Sequence, residues 1–167
     1  MFLRYDGPLY RIVFASRADQ VLDGVISPEA RFHHSGQPAL YASPLPASAA
    51  LAIDIYLQPE DPPRVLQQLH LVSERIVDLR DPDTCATLEI EPDWPSVIWR
   101  SQRDAGQPAT SWRASDAARR ANADGMIYAS RRAPSRWHMV LFHWNTPEGA
   151  QLTTLGAPEP WAAPNQT

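Results

Sequence analysis

Apolar residues along this chain recur at two spacings, every second residue in some stretches and every third or fourth in others, with proline, glycine and acidic clusters between them. Leu9-Tyr-Arg-Ile-Val-Phe14 is β-branched and aromatic, which predicts a strand, whereas residues 15–30, broken by Gly24 and Pro28, predict irregular chain. Ala39 to Ala42 predicts a second short strand. Ser43 and Pro44 can open an Ala- and Leu-rich helix over Ala47 to Ala52. Ile53, Ile55 and Leu57 alternate with Asp54 and Tyr56, so the end of that segment also fits a strand; the helix is favoured. After a Pro/acid loop over Gln58 to Pro63, Arg64 to Leu79 alternates as one strand or two short ones, and Leu79 to Pro82 forms a turn. Thr84 to Ile90 and Pro95 to Gln102 predict two short helices, split by Pro92. The strongest helical pattern is Thr110 to Asn122, with Thr110 or Ser111 as cap and Trp112, Ala117 and Ala121 along one stripe. Met126 to Ala129 and Met139 to His143 predict strands joined by a basic loop. Residues 146–167 are rich in Pro, Ala and Gly, lack periodicity, and predict a loosely ordered tail behind a domain over residues 1–145. The sum is an α/β (α+β) chain with a small mixed sheet and flanking helices.

Composition narrows the function classes. The net charge of −4 gives no basic field for direct nucleic-acid binding, although all fifteen basic residues are arginine. A single cysteine, Cys85, excludes a disulfide framework and fits a reducing cytoplasm; a core-facing helix position suits it. The N-terminus is too short and polar for a signal peptide, and no apolar run approaches the roughly 18 residues of a membrane span. The six tryptophans are most simply packing residues.

Three residues carry the candidate chemistry. Arg31, between a breaker stretch and a glycine turn, offers a planar fork that matches phosphate oxygens; it could equally pack its stem on Phe32 at the surface. Tyr41 sits in a strand before a proline turn, where its ring can stack on a flat heterocycle and its hydroxyl can reach a ribose or phosphate, or where it simply fills the core. Ser130 ends a strand; it lies in no Gly-x-Ser-x-Gly elbow, so it suits hydrogen bonding to a ligand better than nucleophilic attack. Arg131, Arg132 and Arg136 follow it as a solvated basic loop or an anion-facing rim. A cation, an aromatic face and a hydroxyl together suit a ligand bearing phosphate and rings. The adjacent His33 and His34, and His138 and His143, split between strand faces and complete no zinc spacing, so no metal site is expected.

In order and spacing, these pieces resemble the RES domain family. The carriers are Tyr10-Arg11-Ile12, Ala30-Arg31-Phe32-His33, Gly36-Gln-Pro-Ala-Leu-Tyr41, the alanine-rich Pro46 to Leu57, Asp78-Leu-Arg-Asp-Pro82, the Trp112-Arg-Ala helix, Asp124-Gly-Met-Ile-Tyr-Ala-Ser130 and Val140-Leu-Phe142. No single motif is specific; their order over residues 9–145 is. The resemblance implies a fold like that of the ADP-ribosyltransferases. It implies a bacterial toxin that cleaves the nicotinamide–ribose bond of NAD by hydrolysis or phosphorolysis, with NAD as substrate and no cofactor. It implies a hetero-oligomer with an Xre-like antitoxin that blocks the active site, for which the loop Arg131 to Arg136 is a docking rim. Catalytic or binding roles pass to Arg31, Tyr41 and Ser130, and substrate-binding roles at the rim to His33 and to His138, where the family often carries Asn.

One family residue is missing. Eleven residues past Tyr41, where the family keeps a glutamate, stands Ala52. Bond cleavage builds positive charge on the ribose, which a nearby carboxylate stabilises, and alanine cannot. Three explanations stay open: a deliberate Glu→Ala replacement that disarms the enzyme, a natural member with lost or altered activity, or rescue by Asp54. On a helix, positions 52 and 54 lie about 200° apart, so rescue requires a strand. Two alternative functions remain, mono-ADP-ribosylation of a protein and non-catalytic NAD binding.

Overall fold

A computed structural model describes residues 1–164. Its centre is a six-stranded mixed sheet of β1 (Phe2–Phe14), β2 (Leu40–Ala42), β3 (Arg64–Asp78), β4 (Gly125–Ala129), β5 (Trp137–Leu141) and β6 (Gln151–Trp161). The order is β1-β3-β4-β5-β2, and β6 also pairs with β3. One edge of β3 carries β1 antiparallel from Phe2↔Val77 to Phe14↔Arg64. The other edge is shared: β6 runs antiparallel to Arg64–Val72, and β4 runs parallel to Ile76–Asp78. At the far end, β2 turns back to β1, where Tyr10 N–H donates to Ser43 O at 2.7 Å and Ser43 N–H to Tyr10 O at 3.0 Å. The two ends of the sheet order therefore meet, and residues from β1, β2, β4 and β5 surround one hollow.

Strand alternation divides the core in two. Met126, Tyr128 and Val140 face a cluster with Phe32, Cys85, Phe142 and the alanines of α4 (Thr110–Arg120). Ile127, Met139 and Leu141 face the opposite cluster with Leu9, Leu40, Leu69 and Leu152. Among the described residues the other α-helices are α1 (Pro46–Ile53), α2 (Pro82–Thr87) and α3 (Trp99–Asp104), with short 3-10 turns at Ala15–Gln20, Asp54–Tyr56 and Trp94–Ser96. The mixed sheet, the flanking helices and the core position of Cys85 agree with the expectations from sequence. Among the described residues no helix is long and apolar enough to cross a membrane.

Several boundaries move, each for a tertiary reason. The loosely ordered tail is corrected over its described part: Gln151–Trp161 is a strand, because β3 offers it a free edge and Leu152 a core position at 1% exposure, while residues 165–167 of that tail lie outside the described residues. Almost every other residue of β6 is exposed, so no hydrophobic alternation marks it; Gly156, at φ +70°, absorbs the register shift opposite Leu66 and Gln68. β1 starts at Phe2, not Leu9, through its pairing with β3. Helix α1 opens at Pro46, which occupies the first turn where its missing N–H costs nothing. The expected hydroxyl cap of α4 is absent: Ala109 precedes the helix, and Gln102 Oε1 accepts from Thr110 N–H at 2.7 Å. The Ser111 hydroxyl donates instead to the carbonyl of Arg31.

Candidate functional site

The hollow where β1 and β2 meet is a cavity of about 310 Å³, at the lower end of the range for small-molecule sites. Arg31, Tyr41, Ala52, Ser130 and His138 all line it. They come from a loop, β2, α1, the end of β4 and β5, and span about 100 residues of sequence.

Arg31 is fixed from three sides. Its Nε and Nη2 donate to Pro95 O at 3.1 and 2.7 Å, and its guanidinium carbon stands 4.8 Å from the ring centroids of both Phe32 and Tyr128. No carboxylate pairs with it among the described residues, and Nη1 keeps its donors free for a ligand. Burial pushes its pKa below the ordinary arginine value, and the charge of Arg131 pushes the same way. An Arg with its fork pre-aligned and its charge uncompensated is suited to an oxyanion.

Tyr41 presents its ring to the cavity, but its hydroxyl faces the protein. That hydroxyl accepts from Phe32 N–H at 3.0 Å and lies 2.9 Å from His33 Nδ1. His33 Nε2 lies 3.0 Å from Ser27 O, an acceptor only, so Nε2 carries the proton and Nδ1 accepts from the tyrosine. Burial first, then Tyr128, raises the Tyr41 pKa far above the ordinary tyrosine value, and burial lowers that of His33. Both groups stay neutral near pH 7. The expectation that His33 binds substrate is corrected: it is fully buried behind Tyr41, does not line the cavity, and acts only by holding the tyrosine. His34 also points elsewhere, 2.9 Å from Asp116 and stacked on Trp112.

Ser130 closes the turn after β4: its Oγ accepts from Ala133 N–H at 3.3 Å, and its N–H donates to Arg136 O at 2.9 Å. Asp124, at the head of the same motif, is structural, accepting a 2.7 Å bond from the Ser73 hydroxyl in the core. His138 lies on β5 with Nδ1 2.8 Å from Ser43 Oγ. The serine hydroxyl has no other acceptor among the described residues, and a buried hydroxyl left without one costs about 1–3 kcal/mol, so it donates to Nδ1. The proton of the neutral imidazole then sits on Nε2, which has no protein partner and serves the cavity as a donor. Burial, and after it the charge of Arg31, push the His138 pKa down to about 4.

Ser43 and Arg11 also line the cavity, and neither was given a site role from sequence. Ser43 stands two residues past Tyr41 on an extended segment, so both share a face, and that alternation was the available signal. Arg11 of β1 donates to Val21 O and, like Arg31, lines the cavity. Burial, followed by the charge of Arg17, lowers its pKa to about 10. Nothing local distinguishes it from any strand arginine.

Ala52 lines the cavity from the last turn of α1. Asp54 does not: the chain is helical through Ile53, and the Asp54 carboxylate turns out to Arg132 Nη1 at 2.8 Å, where both side chains are exposed. The helical geometry thus speaks against rescue by Asp54. Among the described residues, no Asp or Glu lines the cavity.

No match exists among curated protein sequences. Among solved structures, a chain in the crystal structure of the M. tuberculosis MbcT–MbcA toxin–antitoxin complex shares the fold, with TM-score 0.57 and 15% identity over 92% of this chain and 86% of that one. The family profile described as RES domain matches residues 8–164, which runs from β1 through the whole of β6. With that match over most of its length, and with the family's separated motifs converging on one cavity, the chain belongs to the RES domain family.

Proposed function

We propose that this chain is the toxin component of a toxin–antitoxin pair and that its cavity binds NAD, the site at which such a protein breaks the nicotinamide–ribose bond. One observation carries the reading: Arg31, Tyr41, Ser130, His138 and position 52, scattered in sequence, line the same cavity. Arg31 Nη1 takes a phosphate or ribose oxygen, the Tyr41 ring supports the nicotinamide end, and Ser130 and His138 Nε2–H hydrogen-bond the ligand. In the reaction, the C1′–N bond breaks, its electron pair neutralises the pyridinium nitrogen, and water or phosphate attacks the ribose. Charge building on that ribose requires a carboxylate at position 52, which Ala52 does not provide.

The partner in this reading is an Xre-like antitoxin that covers the cavity in a hetero-oligomer. Exposed Ile55 and Tyr56 at the cavity mouth, with Ile98 next to the lining Trp99, give it an apolar surface, and Arg131 and Arg132 give it a basic rim. A second reading, an NAD-binding member without catalysis, is favoured by the absence of any lining carboxylate among the described residues.

The test is nicotinamide release from NAD by the chain and by Ala52→Glu, with and without phosphate. Turnover at least about 100-fold higher in the variant supports the site and the missing carboxylate. Equal, negligible turnover in both with retained NAD binding leaves the binding reading, and loss of binding in both ends the NAD reading.

A further inference from the structure

The chain is acidic overall, yet its cavity is not. Four arginines line it: Arg11 and Arg31 in the walls, Arg131 and Arg132 at the mouth. Among the described residues, only Arg132 has an acidic partner, Asp54, which lies outside the lining. Arg11 and Arg31 spend donors on the carbonyls of Val21 and Pro95, which fix the guanidiniums without neutralising them. The remaining polar groups add no negative charge, since Tyr41 and Tyr128 stay protonated and His138 presents a neutral N–H. In a recess with apolar walls such a set of charges produces a concentrated positive potential.

Oxidised NAD meets that potential with opposing parts. Its pyrophosphate is attracted and its pyridinium ring is repelled. A carboxylate at position 52 would offset the repulsion, and Ala52 leaves it uncompensated. The same dinucleotide without a ring charge suffers no such penalty.

We infer that this cavity, with Ala52 in its wall and Arg11, Arg31 and Arg131 around it without a carboxylate partner among the described residues, selects the adenosine-pyrophosphate-ribose anion without a cationic ring, ADP-ribose or reduced NAD, over oxidised NAD. The chain as it stands then holds the cleavage product and the reduced dinucleotide more tightly than the cleavable substrate. This rests on the cavity being the dinucleotide site proposed above.

The test is calorimetric titration of the full chain with ADP-ribose, reduced NAD and the carbocyclic, non-cleavable analogue of oxidised NAD, at low salt. ADP-ribose and reduced NAD should each bind at least about tenfold tighter than the analogue, on the order of one like-charge contact in a partly wet site. Ala52→Glu should bring the three within about threefold of one another, while Ala52→Gln, of like size but uncharged, should preserve the gap. Analogue binding as tight as ADP-ribose overturns the inference while leaving the site intact. So does reduced NAD binding as weakly as the analogue, because ring shape would then explain the difference, or Ala52→Gln closing the gap as fully as Ala52→Glu. Failure of all three ligands to bind overturns the dinucleotide reading itself.

Discussion

Removing the Tyr41 hydroxyl separates its structural role from its role at the ligand. Tyr41→Phe keeps the ring on the cavity wall and deletes one oxygen that serves Phe32 N–H at 3.0 Å and His33 Nδ1 at 2.9 Å. Phe32 and His33 are both 0% exposed, so neither orphaned group gains water in exchange. Each unsatisfied buried group costs about 1–3 kcal/mol, so the variant should lose about 2–4 kcal/mol, allowing for partial relaxation. For a chain of this size that lowers Tm by roughly 5–15 °C, at about 2–4 °C per kcal/mol. Urea unfolding followed by tryptophan fluorescence gives the free energy, and calorimetric titration gives the affinity for NAD, which should change less than about threefold. A second variant checks the origin of the cost. Adding His33→Leu to Tyr41→Phe removes the orphaned acceptor and leaves only the Phe32 N–H donor unpaired, so the double variant should lose less than the sum of the single losses. The reasoning fails if Tyr41→Phe leaves stability within about 0.5 kcal/mol while abolishing ligand binding, for the hydroxyl would then touch the ligand and not the protein.

Two further outcomes follow from burial. His138 is held down from the ordinary histidine value near 6.5 to about 4, so as pH falls the unfolded chain takes up a proton before the folded one does. The stability tied to this group is therefore complete above about pH 6.5 and declines as pH falls towards 4, by roughly 3 kcal/mol at most; His138→Gln should flatten that slope in unfolding free energies measured between those pH values. Leu152, 1% exposed on β6, should cost about 2–4 kcal/mol on replacement by Ala, read by chemical denaturation, and a cost near zero would show that the C-terminal strand is not part of the core.

The sequence by itself determined the pieces with strong local physics: the alternation of β3, the apolar runs of β4 and β5, the alanine-rich α1 and the amphipathic α4. It also determined the chemistry available, since Arg31, Tyr41, Ser130 and the alanine at position 52 are readable wherever they end up. Tertiary structure alone decided what these groups touch. β6 exists because β3 has a free edge, and no residue pattern within Gln151–Trp161 announces it. His33 and His138 each pack against a tyrosine, yet His33, bridged to Ala30 in the turn before β2, is sealed behind Tyr41, whereas His138, on β5, opens to the cavity. Arg11 and Ser43 join the site only because the bridge from Tyr10 to Ser43 brings the two ends of the sheet order together, a contact between residues 33 positions apart that local propensity does not encode. The charge of the cavity is likewise a property of convergence: an acidic chain folds its arginines inward here and turns Asp54 out, and only the closed arrangement makes that difference count.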